Sequence, residues 1–207
     1  MRGHHKYLMM LNFTKKKIKS KYIIIFADLL TLTQNPIKFK NILPEIEKLI
    51  KILISNNNTI ILPSYNLNFP KVKKTGHDTK FITTGYLIKF LLTKFSFKRT
   101  NRPMYNYAVI GPNSEKILKL KQSTAWGNDS VISFLSTNKK TIGLGVNTSL
   151  LTFTWVAIHC CEEYLKVPYR YYKTFYGKNT TTKKKVKEKM YVRYLNKDNV
   201  DLKQKII

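Results

Sequence analysis

The sequence predicts an α/β fold in which a mixed sheet is covered by helices on both faces. Short β-branched apolar runs, typical of buried strands, alternate with longer segments whose apolar residues recur at helical spacing. The chain has 207 residues, of which 43% are hydrophobic and 13% aromatic. That length and composition are sufficient for one folded domain with a sizeable core.

The predicted elements follow one another as strands and helices, which favours a sheet with helices on both faces. The first strand is Tyr22–Phe26, a short β-branched run. The first helix covers Pro44–Ser55, with proline in its first turn. Strand Thr59–Leu62 comes next, followed by a loop that reaches about Thr79. The predicted elements after this loop are helix Thr84–Phe95, strand Tyr107–Ile110, helix Ser114–Lys121, strand Thr141–Val146 and helix Phe153–Leu165.

The segment Thr152–Tyr176 holds the densest cluster of chemically capable residues. His159 and Glu162 are three residues apart in a predicted helix, so both side chains lie on one face. An imidazole beside a carboxylate is the minimal equipment for general-base catalysis. A histidine that only packs at a helix end would explain the same pair.

Six segments of the chain carry a family resemblance, in order, over about Tyr22–Phe175. They are YIIIFADLLTL, NNNTIILPSYNLNF, RTNRPMYNYAVIGP, TAWGNDSVISFL, IGLGVNTSLLTFTWVAIHCCEE and VPYRYYKTF. Together they resemble the aminoglycoside 3-N-acetyltransferase family, most closely its lipopolysaccharide-biosynthesis-like branch. The resemblance implies that family's fold, with His159 as the catalytic base and Glu162 as the residue that orients it.

The chain departs from the family pattern at positions that the resemblance places near the coenzyme. The His-Ser pair of the opening strand falls on Phe26 and Ala27, which removes a polar group expected near the pantetheine arm of acetyl-CoA. In the next motif, Arg102 replaces the histidine before proline and Asn106 replaces a serine. We therefore expect no cofactor, with acetyl-CoA as the alternative.

The charge of the chain points away from the substrates that the resemblance implies, which are polycationic aminosugars. With 38 Lys and Arg against 11 Asp and Glu, the formal net charge is +27, and the usual partner of such a charge is nucleic-acid phosphate. An AT-rich genome would also enrich lysine. The ends are the most basic parts, and they predict a basic N-terminal arm (1–21), an acetyltransferase-like domain (22–177) and a basic C-terminal extension (178–207).

Two functions follow from these observations. The first is a non-catalytic RNA-binding protein, most simply a component of a mitochondrial ribosome that contacts ribosomal RNA and neighbouring ribosomal proteins. The alternative is an acetyl-CoA-dependent N-acetyltransferase that acts on an amino sugar. The predicted RNA contacts are Lys15, Lys16, Lys17, Lys19, Lys71, Lys73, Lys74, Arg99, Arg102, Arg170, Lys183, Lys184 and Lys185.

Cysteine usage and apolar runs set the remaining expectations. Cys160 and Cys161 are adjacent and no C-x-x-C pair occurs, so we expect neither a disulfide framework nor a metal site. The sequence has no run of about 20 uncharged apolar residues and no recognisable secretory signal. We expect a mitochondrial location, and one option is that the gene lies inside the organelle.

Overall fold

The structure is a computed structural model that describes residues 19–27, 36–146 and 151–194. Within these ranges the chain forms two sheets, six α-helices and a short 3₁₀ turn at Thr79–Phe81. The strands are β1 (Tyr22–Ala27), β2 (Thr59–Pro63), β3 (Lys74–Thr75), β4 (Lys98–Arg99), β5 (Tyr107–Ile110), β6 (Thr141–Val146), β7 (Arg170–Asn179) and β8 (Lys185–Arg193). The helices are α1 (Pro36–Ser55), α2 (Phe69–Val72), α3 (Tyr86–Lys94), α4 (Ser114–Leu118), α5 (Val131–Thr137) and α6 (Leu151–Tyr164).

The larger sheet has the strand order β4-β5-β2-β1-β6. Strand β1 lies at its centre and pairs in parallel with both β2 and β6, so that Tyr22 is level with Thr59 and Thr141. Strand β5 is antiparallel to β2 and to β4. The predicted mixed sheet is therefore confirmed.

Both faces of this sheet are buried, which explains the continuous apolar run in β1. Ile23 and Ile25 point to one face, where they pack against apolar residues of α1 and α3. Tyr22 and Ile24 point to the other face, where α5, the loop before it and the smaller sheet cover them. Burial of each such side chain stabilises the fold by about 1.5–3 kcal/mol. The predicted two-sided covering by helices is confirmed.

Helix α1 begins earlier than the sequence predicts. The prediction places Pro44 in the first turn, whereas the structure begins the helix at residue 36 and leaves Pro44 in its interior. Proline has no N–H, so the helix lacks one backbone hydrogen bond at this position. Apolar residues after Pro44 keep the predicted spacing and are buried, with Ile50 and Leu53 fully enclosed. None of the described helices has an apolar stretch long enough to cross a bilayer.

A hairpin of β7 and β8 forms the smaller sheet together with β3. Its strands pair antiparallel over their whole length, with Tyr172 level with Tyr191, and β3 pairs in parallel with the end of β7. The boundary predicted at residues 177/178 falls within β7, and β8 belongs to the segment predicted as an extension. Residues 1–18 of the predicted arm and residues 195–207 lie outside the described residues.

Candidate active site

The helix α6 and the start of the hairpin bring an imidazole, a carboxylate and a guanidinium together. His159 and Glu162 are one helical turn apart, and Nδ1 of His159 lies 2.7 Å from Oε2 of Glu162. The helix ends at Tyr164, and the chain turns back so that Arg170, the first residue of β7, faces the same carboxylate. The two candidate catalytic residues thus lie in contact, as the spacing predicts.

Glu162 is buried, with 6% of its surface exposed, and its carboxylate is surrounded by donors. Oε2 lies 2.6 Å from Nη2 of Arg170, and Oε1 accepts a hydrogen bond from the Tyr169 hydroxyl at 3.0 Å. Nη2 of Arg193 approaches Oε1 to 3.5 Å. Burial raises the pKa of Glu162, but the hydrogen bonds from His159 and Tyr169 and the charge of Arg170 together lower the pKa below its usual value. The carboxylate is therefore ionised at neutral pH.

The carboxylate assigns the tautomer of His159. Nη2 of Arg170 is 3.1 Å from Nδ1 of the imidazole, but both nitrogens are closer to the same oxygen, Oε2 of Glu162. The contact between the two nitrogens is thus the third side of a triangle in which each donates to the carboxylate. Nδ1 then carries the proton, and Nε2 keeps a free lone pair. Nε2 makes no hydrogen bond to any described residue.

Aromatic packing holds the imidazole ring in place while leaving it accessible. The Trp126 ring lies 5.1 Å from the His159 ring, centroid to centroid, and packs in turn on Tyr105 at 4.4 Å. Trp126 is buried, whereas 30% of the His159 side chain is exposed. A ligand can therefore approach the imidazole without displacing the core. An accessible imidazole with a free lone pair, backed by an ionised carboxylate, can accept a proton.

Two other groups on α6 do not provide an alternative nucleophile or metal site. Burial raises the pKa of the Cys160 thiol to about 12, so it stays protonated at neutral pH. Glu163 is buried, and its Oε1 accepts hydrogen bonds from the hydroxyls of Thr124 and Tyr172. In the described part of the chain, no group of three or more His, Cys, Asp or Glu side chains could hold a metal ion.

Three of the predicted RNA contacts are arginines whose side chains are used within the protein. Arg170 is paired with Glu162 and donates to the backbone carbonyl of Tyr191 at 2.9 Å. Arg102 forms an ion pair with Glu188, which is fully buried, and donates to backbone carbonyls in two segments. Arg99 donates to the carbonyls of Ser64 and Gly76, each at 3.2 Å, and to the Asn106 side chain.

The predicted lysine contacts are exposed where the structure describes them. Lys74 is level with Lys178 across the β3–β7 pair, at the end of the hairpin that carries the turn with Lys183. Lys15, Lys16 and Lys17 lie outside the described residues. The exposed lysines are Lys19, Lys71, Lys73, Lys74, Lys183, Lys184 and Lys185.

The residues that depart from the family pattern have structural roles. Phe26 packs in the core against the second face of the sheet. The buried Asn106 side chain donates to the carbonyls of Thr100 and Arg102 and so holds the loop before β5. Burial raises the pKa of Glu188, although Arg102 opposes this by charge and by hydrogen bonding. These substitutions therefore leave His159 and its carboxylate intact.

Comparison with solved structures relates this fold to that of acetyltransferases. The YokD protein from Bacillus subtilis has a TM-score of 0.63 and 15% identity over 90% of this chain and 80% of its own. The aminoglycoside acetyltransferase AAC(3)-IIb has a TM-score of 0.61 and 13% identity over 89% and 74%. A binary complex of AAC-IIIb with CoASH has a TM-score of 0.61 and 12% identity over 91% and 75%.

The class that the fold defines is therefore the aminoglycoside acetyltransferase fold, and the family resemblance seen in the sequence is confirmed at this level. No protein-family model matches the sequence, and no curated protein matches it.

These matches overturn the first of the two predicted functions. The prediction of a ribosomal RNA-binding protein with ribosomal partners is wrong, because matched structures such as AAC(3)-IIb are aminoglycoside acetyltransferases and favour the alternative. The expectation of no cofactor is likewise wrong, since one matched structure is a complex with CoASH. The physical reason is visible at Arg102 and Arg170, whose charges are neutralised by buried glutamates. The mitochondrial location stays a prediction.

Sequence reasoning missed several residues that build the site. Tyr169 and Trp126 were not recognised as neighbours of the catalytic pair, and Arg170 was assigned to RNA rather than to Glu162. The available signal was the adjacency of Tyr169 and Arg170 to the helix, only seven and eight residues beyond Glu162. Nothing in the local sequence around Trp126 indicates its contact with His159, because that contact joins residues 33 positions apart.

Proposed function

We propose that this protein is an acetyl-CoA-dependent N-acetyltransferase that acts on an amino sugar, with His159 as the general base. The supporting observation is the dyad of His159 and Glu162, whose Nδ1–Oε2 contact of 2.7 Å leaves Nε2 free, in the fold of the acetyltransferases. The fold alone does not set the reaction, so the proposal rests on these side chains.

The described residues suit a proton transfer at nitrogen. Acetyl-CoA supplies the acetyl group as a thioester. Nε2 of His159 accepts a proton from the acceptor amine as the new C–N bond forms and the C–S bond breaks, and the imidazolium returns that proton to the sulfur that leaves. Glu162 remains ionised throughout and stabilises the positive imidazolium through its contact with Nδ1.

The charge of the surrounding surface fits a coenzyme that carries phosphates. The hairpin face that contains Arg170 continues along β7 and β8 with hydroxyl and cationic side chains, among them Thr174, Tyr176 and Lys187. A positive surface attracts a polyanionic coenzyme and repels a polycationic acceptor. We therefore expect a neutral or anionic amino sugar to be a better acceptor than an aminoglycoside.

The test is release of free CoA thiol from acetyl-CoA in the presence of glucosamine, glucosamine 6-phosphate or an aminoglycoside, with the N-acetyl product identified by mass. His159→Ala should lower the rate by about 10²–10⁴-fold because the proton acceptor is lost. His77→Ala is the matched control, since His77 is exposed and its described hydrogen bond is made by its backbone N–H to Thr181. Equal rates in the two variants, or no acetylated product with any amine, would overturn the proposal.

A further inference from the structure

The hairpin of β7 and β8 borders a second feature, a cavity of about 340 Å³. Cavities of about 300–1,000 Å³ are the usual size for small-molecule sites. We call this cavity the hairpin pocket, and its lining residues are Arg102, Gln122, Ser123, Thr174, Tyr176, Lys187 and Lys189.

The hairpin pocket is lined by cations and hydroxyls, and no carboxylate lines it. Among the described residues, Lys187 and Lys189 form no ion pair, and the Lys189 ammonium lies 4.6 Å from the Tyr172 ring centroid. Arg102 neutralises the buried Glu188, so the two lysines are an uncompensated positive charge. Asp129 accepts hydrogen bonds from the backbone N–H and the hydroxyl of Ser123, which lines the hairpin pocket.

Arg102 supplies a second observation that points to a ligand. Its side chain is 9% exposed, and its Nε is buried without a hydrogen-bond partner. A buried donor without a partner is destabilising, so a ligand acceptor or a bound water at this wall would provide the missing hydrogen bond. The remaining guanidinium nitrogens hold Gln122 and Glu188 in place and so fix the shape of the wall.

The hairpin pocket lies on the same hairpin face as the residue that contacts the catalytic pair. Arg170, Thr174 and Tyr176 are separated by even numbers of residues in β7, so their side chains share a face. Four to six strand residues span about 13–20 Å. The pantetheine arm has about as many main-chain bonds as four amino-acid residues, so it extends to about 14 Å.

We infer that the hairpin pocket binds a phosphate group of the ligand that reaches His159. The claim that the phosphate belongs to the ligand of His159 rests on the proposed function, whereas the claim that the hairpin pocket binds a phosphate does not. The phosphate belongs either to the coenzyme or to a phosphorylated amino sugar, and both sources share the chemistry of a multiply charged anion that lysine ammonium groups recognise.

The experiment measures the Kd of inorganic diphosphate by calorimetry for the full chain and two double variants. Lys187→Gln/Lys189→Gln should weaken binding by about tenfold or more, because two charges next to the anion are lost. The control, Lys173→Gln/Lys178→Gln, removes two exposed hairpin lysines that do not line the hairpin pocket, one of which also lies over an aromatic ring. It should weaken binding no more than about twofold, because these two lysines do not line the hairpin pocket and solvent screens their charges.

Equal weakening in both double variants would overturn the inference, because it would show attraction by net charge alone. Absence of diphosphate binding to the wild-type chain would overturn it as well. Circular dichroism of all three proteins checks that each is folded, and the exposure of these four lysines makes loss of folding unexpected.

Two further arms identify the source of the phosphate. If the coenzyme supplies it, CoA should bind more tightly than pantetheine, and Lys187→Gln/Lys189→Gln should abolish that difference. If the acceptor supplies the phosphate, glucosamine 6-phosphate should bind more tightly than glucosamine, and the same double variant should abolish that difference. Diphosphate binding that depends on the two lysines, without any acetyl transfer, would support the hairpin pocket while refuting the proposed function.

Discussion

Replacing Arg102 with methionine should destabilise the fold by about 3–5 kcal/mol, because it leaves Glu188 as a buried charge without its cation. Glu188 has no exposed surface, and its other described hydrogen bond comes from the backbone N–H of Met104 at 3.0 Å. The guanidinium also donates to the carbonyls of Gln122 and Lys189, so three segments lose a shared donor. Methionine keeps the approximate length of the side chain and removes its charge.

The destabilisation should depend on pH in a direction that the structure sets. Burial already raises the pKa of Glu188 in the presence of Arg102. Without Arg102 the folded state binds a proton at Glu188 even more readily than the unfolded chain does. The stability deficit of Arg102→Met should therefore shrink as the pH falls from neutral toward the ordinary glutamate value of about 4.3.

Urea unfolding at neutral pH, followed by circular dichroism, measures the free energies of unfolding. The informative comparison is Arg102→Met against Arg102→Met/Glu188→Gln, in which the amide keeps an acceptor for Met104 and carries no charge. The double variant should recover about 1–3 kcal/mol of the loss. If the two variants are equally unstable, the buried charge is not the cause and the reasoning fails.

Three other outcomes follow from the same structure. Gly111→Ala should destabilise the fold by about 1–3 kcal/mol more than Gly85→Ala. Both glycines have positive φ, but only at Gly111 would an added Cβ meet a backbone oxygen, that of Asn58, at 2.4 Å. Equal unfolding midpoints in urea would contradict this prediction. Glu162→Gln should destabilise the fold at neutral pH but not in acid. The lowered pKa of Glu162 stabilises the folded state at pH values above the ordinary glutamate pKa, and this stabilisation is lost as the pH falls through the folded-state pKa. A pH-independent difference in thermal unfolding would refute this prediction. A thiol reagent at mildly alkaline pH should label the exposed Cys161 and spare Cys160, whose pKa is raised to about 12, so the native reaction should vanish in Cys161→Ser.

Four of the five strands of the larger sheet were predictable because their apolar residues form short runs in the sequence, whereas β4 (Lys98–Arg99) was not predicted. Tyr107–Ile110 and Thr141–Val146 agree with the predicted bounds, and β1 and β2 each extend one residue beyond them. Such strands read as short β-branched runs regardless of what they pack against. The start of α1 was not predictable in the same way, because Pro44 normally marks a first turn.

The hairpin was missed because its charged residues resemble a solvated run. In β8 the residues Val186, Glu188 and Met190 are at least partly buried, while Lys187 and Lys189 between them are exposed. This alternation is the signal of a half-buried strand, but a glutamate at an inward position and a high lysine content hide it. Glu188 is acceptable there only because Arg102, 86 positions away, pairs with it. A long-range partner of this kind cannot be read from local sequence.

The catalytic pair was predictable and its surroundings were not. The spacing of His159 and Glu162 fixes their contact once the segment is helical, and helix α6 confirms that segment. The roles of Arg170 and Trp126 depend on how the hairpin and the loop before α5 pack onto the helix. The high content of Lys and Arg was a misleading signal for individual residues, because the sequence does not show which arginines are used in buried ion pairs.

The most direct measurement of the central claim is the tautomer of His159, read from the ¹⁵N chemical shifts of its ring nitrogens at mildly alkaline pH and assigned by comparison with His159→Ala. The account predicts a protonated Nδ1, donating to Glu162, and an unprotonated Nε2 that is able to accept a proton from an amine. The opposite tautomer, with Nδ1 unprotonated and accepting from Arg170, would place the proton on Nε2. That result would contradict the assignment of His159 as the general base.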